Sequence, residues 1–191
     1  MGRLPLSKKY RFRRLTLGRP WCEAIELEDG RQFILRPMQI TDAATLQKSF
    51  ARLTPEEVHL RFMHPIKELS PAFASRLASI ERRREFALVL VENLHPDQAL
   101  IGAVIRVAVD DSGHNAEFAI IVGQEIAGQG LGRYLLGKAV DWARKKGLDS
   151  LYGLVLPENR RMLGLARSLG FRQTLSENDQ ELMLVKKSFR R

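Results

Sequence analysis

A mixed α/β fold organised on a single sheet is predicted by three features of the chain. First, an apolar β-type run from Phe118 to Val122 passes through glycines at 128, 130 and 132 into a helical repeat beginning near Leu131, giving a strand, a glycine turn and a helix. Second, two runs rich in valine, isoleucine and leucine, Phe86 to Val91 and Ala99 to Val109, are separated by the turn-like segment Asn93 to Asp97 and should lie side by side as antiparallel strands. Third, segments with helical spacing alternate with these strands along the chain. With 191 residues the chain fits one domain. A chain of that length buries roughly 70% of its unfolded surface and needs no covalent staple.

The elements follow in order. Ala24 to Leu27 and Phe33 to Arg36 flank Asp29-Gly30, a dipeptide suited to a tight hairpin, and Pro37 stops the second strand. Thr41-Asp42 can cap a helix with Ala44, Leu46, Phe50 and Leu53 on one stripe. Thr54-Pro55-Glu56-Glu57 and Ser70-Pro71 open two more helices with a cap residue and a proline in the first turn. These helices are expected to form a wall over the sheet. After the two central strands, Leu131, Leu135, Ala139 and Ala143 mark the helix behind the glycine loop, which Lys145, Lys146 and Gly147 end. Leu151 to Leu156 is a strand, Pro157-Glu158-Asn159 starts a helix running to Gly170, and Phe171 to Leu175 with Leu182 to Val185 form a closing hairpin.

Composition excludes several function classes. The single cysteine, Cys22, rules out an internal disulfide and a cysteine metal cluster. The four histidines lack metal-ligand spacing, so no metal is expected. Of the net charge of +9, seven cations with no acid fall in residues 1 to 20, leaving about +2 for the remainder. Residues 1–20 are therefore read as a basic, flexible arm and residues 21–191 as a single domain. No motif that reads nucleic acid accompanies the arm, so nucleic acid is not the expected partner. The basic start is not followed by the apolar core of a signal peptide, and no apolar run is long enough to span a bilayer. A cytoplasmic location is expected.

The glycine turn is an anion cradle in physical terms, because backbone N–H groups at a helix start face outward and glycines let a diphosphate approach without a Cβ in the way. Two familiar phosphate patterns do not fit it. A dinucleotide fingerprint starting at Gly128 meets Arg133 where its third glycine belongs. Gly132 to Lys138 matches the start of a P-loop, but Ala139 replaces the magnesium-binding hydroxyl and the match lies inside the helix.

Ala127-Gly128-Gln129-Gly130-Leu131-Gly132 resembles instead the coenzyme A loop of the GNAT superfamily of acyl-CoA-dependent N-acyltransferases, with Ala127 departing from the usual Arg or Gln. Asn159 to Phe171 resembles the later Asn…Leu-Gly-Phe signature of that family, with Ala166 where many members carry a tyrosine acting as general acid. Asp29-Gly30, Ile34 to Pro37, Thr41-Asp42, Leu53 to Glu56 and Arg61-Phe62 are further similar to the acetyltransferase domain of bacterial protein-lysine acetyltransferases. The resemblance implies a mostly antiparallel central sheet flanked by helices and splayed between two central parallel strands. It implies acetyl-CoA as cosubstrate, its pantetheine against the backbone of Ile121 and Val122 and its diphosphate on the N–H groups from Gly128 through Arg133. Asn159, Met162 and Arg167 complete the implied cofactor site. Glu117 matches the strand glutamate of the family and is the expected general base, with Glu125 as the fallback. The expected reaction is direct acetyl transfer to a protein lysine, for instance on an acyl-CoA synthetase. A small amine as acceptor, or a CoA-binding module without catalysis, are the alternatives.

Overall fold

The computed structural model describes residues 10–189. A nine-stranded sheet runs through them in the order β1-β2-β3-β4-β5-β6-β7-β9-β8. Strands β1 (Phe12–Thr16), β2 (Glu23–Leu27) and β3 (Gln32–Pro37) form a meander, with Gly30 at φ +87° in the turn where the sequence predicts a hairpin. Helices α1 (Ala43–Phe50), α2 (Pro55–Phe62) and α3 (Pro71–Ala78) follow, and Thr54 and Ser70 cap α2 and α3 as expected. Asp42 serves differently: its carboxylate accepts from Gln39 N–H across a short 3-10 turn and pairs with Arg36 at 2.7 Å. Next come β4 (Glu85–Glu92), β5 (Ile101–Val109) and β6 (Asn115–Val122), each antiparallel to the strand before it. Helix α4 (Leu131–Lys145), β7 (Ser150–Val155), α5 (Arg160–Ser168), β8 (Arg172–Leu175) and β9 (Met183–Ser188) complete the chain.

The basic segment departs from expectation. Phe12 to Thr16 are not an arm but the first strand, paired antiparallel with β2 from Phe12 opposite Leu27 to Thr16 opposite Glu23. Phe12 is fully buried. The arginines that read as an arm in the sequence face glutamates: Arg13 meets Glu26 of β2 at 3.4 Å and Arg11 meets Glu28, just past its end, at 2.9 Å. Opposite charges directly across a strand pair stabilise it modestly, a pattern invisible until the two strands are adjacent. Residues 1–9, the rest of the expected arm, lie outside the described residues.

Two apolar layers sandwich the sheet. On one face Leu35, Leu88, Ile105 and Leu151 pack against Leu131, Leu135 and Ala139 of α4, whose spacing of four places them on one stripe. On the other face Met38, Ala87 and Val89 pack against Leu46, Phe50, Val58 and Ala74 from the three early helices. The two faces thus have separate roofs.

One discontinuity in the sheet positions the site. β6 and β7 are parallel, but their pairing is confined to Asn115, Ala116 and Glu117 opposite Ser150, Leu151 and Tyr152. Beyond Glu117 the strands part. At the fork Phe118 packs over β7: a Cβ at Gly153 would stand 2.8 Å from its ring, so only glycine leaves that ring room. The ring meets Phe171 edge-on at 5.5 Å. Phe118 through Val122 still bond to β5 on their other side. Their β7-facing backbone groups are consequently available inside the sheet, an interior version of a sheet edge.

Candidate active site

The wedge leads directly to the glycine loop. After β6 a short 3-10 turn, Gln124–Ile126, folds the chain back, and Ile126 is buried beneath it. Glu57 of α2 holds this turn, one carboxylate oxygen accepting from Gln124 N–H at 2.9 Å and the other from Thr54 N–H at 2.8 Å. Gly128 and Gly130 then adopt φ of +80° and +88°, a region that costs an L-residue about 1–2 kcal/mol. Gly132 serves close packing instead, since a Cβ there would lie 3.3 Å from Leu165 of α5. Among the described residues, none of the backbone N–H groups from Gly128 through Arg133 donates to a protein acceptor. They include the free donors of the first turn of α4, where the helix dipole is positive. The buried Oε1 of Gln129 also has no hydrogen-bond partner. The loop fits a diphosphate, and the parted strands leading to it fit an extended amide-bearing chain.

The side chains that the sequence predicts for a cofactor divide into two groups. Asn159 caps α5, its Oδ1 accepting from Met162 N–H at 3.0 Å, which leaves the amide N–H₂ for another acceptor. Met162 packs against the α4-side core. Ile121 and Val122 lie on the unpaired part of β6, and Ala127 closes the 3-10 turn with an extended backbone. The arginines go elsewhere. Arg133 donates to Ser168 Oγ at 2.6 Å and ties α4 to the end of α5, so its backbone N–H faces the cradle while its guanidinium is engaged. Arg167 donates to Gln173 at 3.2 Å on the β8 side. Glu125, the fallback base, is exposed at the loop beside Arg52.

Glu117 occupies the last paired position before the strands part. Its surface is open to solvent on one side, yet the protein crowding around the carboxylate raises its pKa above the ordinary 4.5, desolvation outweighing the attraction of Arg61. Two neighbours escaped sequence reasoning. Arg61, on the last turn of α2, has its own pKa lowered to about 10, by burial first and then by Arg106, with Glu117 opposing. Arg106 is committed to Glu85 at 2.7 Å and to Leu77 O at 2.6 Å, whereas Arg61 forms no hydrogen bond or ion pair among the described residues. Tyr152 stands across the parallel pair from Glu117, and burial followed by that carboxylate raises the pKa of its phenol. It therefore keeps its proton at neutral pH. Arg61 and Glu117 stand 56 positions apart in sequence, and only the fold brings them together.

Between α1, α2 and the sheet lies a cavity of about 340 Å³, whose lining includes Phe50, Phe62, Ile101, Val104, Arg61 and Ile121. Its lining mixes these apolar side chains with charged ones, Arg52, Glu57, Arg61 and Arg106 among them. Ala166, at the position of the missing tyrosine, is fully buried and contributes no hydroxyl.

The residue pattern of the acetyltransferase (GNAT) domain family covers residues 32–172. The chain belongs to the GNAT acetyltransferase family. It is 32% identical over 156 residues to a Pseudomonas aeruginosa protein described as an acetyltransferase, covering 81% of each chain. It is also 26% identical over 150 residues to the acetyltransferase Pat of Mycolicibacterium smegmatis, covering 76% of this chain but only 43% of that protein. The fold is similar to the GNAT domain of S. lividans PAT, with a TM-score of 0.76, 21% identity, and coverage of 88% of this chain and 97% of that one. As a GNAT acetyltransferase the protein is an acyl-CoA-dependent N-acetyltransferase with acetyl-CoA as cosubstrate. No helix among the described residues is long and apolar enough to cross a membrane, and no group of side chains there is suited to a metal ion.

Proposed function

We propose that the protein acetylates the side-chain amine of a lysine on a protein acceptor, such as an acyl-CoA synthetase, by direct transfer with Glu117 as general base. The observation that carries the assignment of Glu117 is its position: it is the last paired residue of β6, at the point where the strands separate. Acetyl-CoA supplies the activated acyl group as a thioester. Gly128 through Arg133 would hold its diphosphate through N–H groups that have no protein acceptor among the described residues. Ile121, Val122 and the Asn159 amide would align its pantetheine, with Met162 lining the same side. Arg133 and Arg167 contribute through their ties to Ser168 and Gln173, which fix α5 beside the loop.

A lysine amine is protonated at neutral pH, with an ordinary pKa near 10.4, and a proton must leave before nitrogen attacks a carbonyl. Glu117, with its pKa raised, is the stronger base for it. The cavity lined by Arg61, the cation that acts on Glu117, has apolar walls that suit a four-carbon lysine stem, which buries well while its charged end stays near polar groups. Tyr152 can return a proton where Ala166 cannot. The similarity to Pat-type acetyltransferases favours a protein acceptor.

A second reading, a small free amine as acceptor, draws on the same cavity, because about 340 Å³ lies within the size range of small-molecule sites. Incubation with acetyl-CoA and either an acyl-CoA synthetase or a panel of small amines, read by mass spectrometry, tests both. A mass increase of one acetyl group on a synthetase lysine supports the first reading. Acetylated small amines with an unmodified synthetase would replace it by the second. A CoA-binding role without catalysis predicts thermal stabilisation by acetyl-CoA and no acetylated product from any acceptor.

A further inference from the structure

The cavity between α1, α2 and the sheet carries charge on its walls, from the arginines 31, 52, 61 and 106 and the glutamates 57, 92 and 125. All but one of these groups are engaged by the protein. Arg31 donates to Asp29 at 2.8 Å and to Glu125 O at 2.7 Å, and Arg52 stands 3.7 Å from the Glu125 carboxylate. Glu57 accepts from Thr54 N–H and Gln124 N–H, and Glu92 accepts from Leu100 N–H at 3.1 Å. Arg106 is held between Glu85 and Leu77 O. Arg61 remains.

Among the described residues Arg61 makes no hydrogen bond or ion pair. Its guanidinium carbon lies 4.8 Å from the centre of the Phe62 ring, a contact that attracts a cation but leaves its N–H donors unused. Protein crowding nevertheless lowers its pKa to about 10, so the charge has lost much of its water without gaining an acceptor. The residue surface is only half-buried, which leaves a way in for a ligand. The helix that carries it is fixed at its other end, where Thr54 caps α2 and Glu57 ties it to the turn after β6. A partly desolvated guanidinium with its fork free is a receptor for a planar oxyanion. Three glutamates on the same walls disfavour a second negative charge, so a singly charged carboxylate suits the cavity better than a phosphate dianion.

We infer that Arg61 determines acceptor specificity by pairing with a carboxylate that the acceptor carries close to the amine to be acetylated. This rests on the proposed placement of the acceptor in the cavity. The carboxylate can come from an acidic side chain beside the target lysine of a protein, or from the carboxyl group of the acceptor amino acid itself. The chemistry that Arg61 recognises is the same.

Two matched pairs of acceptors, assayed with acetyl-CoA by thiol release and mass spectrometry, test the inference and separate the two sources. One pair is a blocked lysine peptide with aspartate beside the lysine and the same peptide with asparagine there. The other is Nα-acetyl-lysine and its carboxamide. The natural protein is expected to favour the carboxylate member of one pair by about tenfold in kcat/KM, chiefly through KM, as a charge-assisted contact would give. Arg61→Met should bring that ratio close to one. Any influence of Arg61 on Glu117 is common to both members, so the ratio isolates the pairing. Arg61→Lys keeps the charge but not the fork and should retain part of the preference, and its reduced ratio carries the test if the methionine variant does not fold. Preference within the peptide pair alone assigns the carboxylate to a neighbouring side chain, preference within the other pair alone assigns it to the acceptor's own carboxyl group, and either supports the inference. Equal rates within both pairs, a preference for the neutral members, or a preference that survives Arg61→Met overturns it. Absence of acetylation on all four compounds also overturns it; acetylation of an acyl-CoA synthetase under the same conditions would then show that the proposed function stands without it.

Discussion

The two sides of β6 are built on different principles. Toward β7 and α4, the side proposed for the cofactor is made of backbone: parted strands, two glycines at positive φ and a row of N–H groups without a protein acceptor among the described residues. Toward α1 to α3, the side proposed for the acceptor is made of side chains: a cavity with apolar and charged walls, the Arg61 guanidinium, without a hydrogen bond or ion pair among the described residues, and a carboxylate at the fork. A backbone site binds whatever presents the right row of acceptors and is insensitive to most substitutions except at its glycines. A side-chain site is set residue by residue. The contrast predicts that mutations on the cofactor side alter affinity at every pH, whereas those on the acceptor side reshape the pH dependence of turnover.

The largest effect is expected from Glu117→Gln. A general base contributes typically about 10²–10⁴-fold, so kcat should fall by that order while acetyl-CoA affinity stays within about twofold. The natural enzyme should show an acid limb in its pH–rate profile above the ordinary glutamate range, because burial raises the carboxyl pKa, and the variant should lack it. The same shift has a stability consequence of definite sign. With the folded pKa raised, the folded state holds its proton more tightly than the unfolded one, so stability is full below the ordinary 4.5 and declines as pH rises through the folded value. Thermal melts should therefore show the glutamine variant equal to the natural protein at pH 4 and modestly more stable at pH 7. A variant less stable at neutral pH would mean that Glu117 is structural.

Gly130→Val comes next and acts on the other side. It places a β-branched residue at φ +88° and within 3.2 Å of Tyr10, so a penalty of about 1–2 kcal/mol or more should fall on the loop. Calorimetry should register a rise in the Kd for acetyl-CoA of about tenfold. The pH–rate limb at saturating cofactor should not move. A displaced limb would show that the two sides are not separable.

The chain announced these sides unequally. Glycines at 128, 130 and 132 after an apolar run betray a strand, turn and helix because backbone demands are written in residue type and local spacing. α4 was legible for the same reason, through a spacing of four that survives as a fully buried stripe. β1 was not, since Phe12-Arg13-Arg14-Leu15 looks like a charged tail until the glutamates of β2 stand opposite it. Glu117 entered through the resemblance, as the counterpart of the family's strand glutamate, and it lies at the end of the parallel pairing. Arg61 and Tyr152 were missed because their relation to Glu117 is created by the packing of α2 and β7 on β6, not by any spacing. Arg133 and Arg167 illustrate the converse: the residue type suited phosphate, but neighbouring Ser168 and Gln173 direct the guanidinium groups elsewhere.

Arg61→Met is the smaller and more discriminating change. Arg61 lowers the pKa of Glu117 while burial raises it, so removing the cation leaves burial less opposed and the acid limb should move to higher pH. Turnover at pH 7 falls because less of Glu117 is ionised, and it recovers as pH rises, a signature that mere misfolding does not produce. Arg61→Lys keeps a positive charge near the carboxylate and should hold the limb close to its natural position. Acetyl-CoA affinity should be indifferent to both substitutions, since Arg61 lines the cavity proposed for the acceptor and is not among the N–H donors from Gly128 through Arg133 proposed for the diphosphate. If methionine instead raised the Kd for acetyl-CoA while leaving the limb in place, Arg61 would belong to the cofactor side and the division at β6 would be wrong. Its desolvated, unpaired state gives the expected sense: a guanidinium crowded by protein and by Arg106 gains from a negative neighbour, and Glu117 is the anion that opposes the lowering of its pKa.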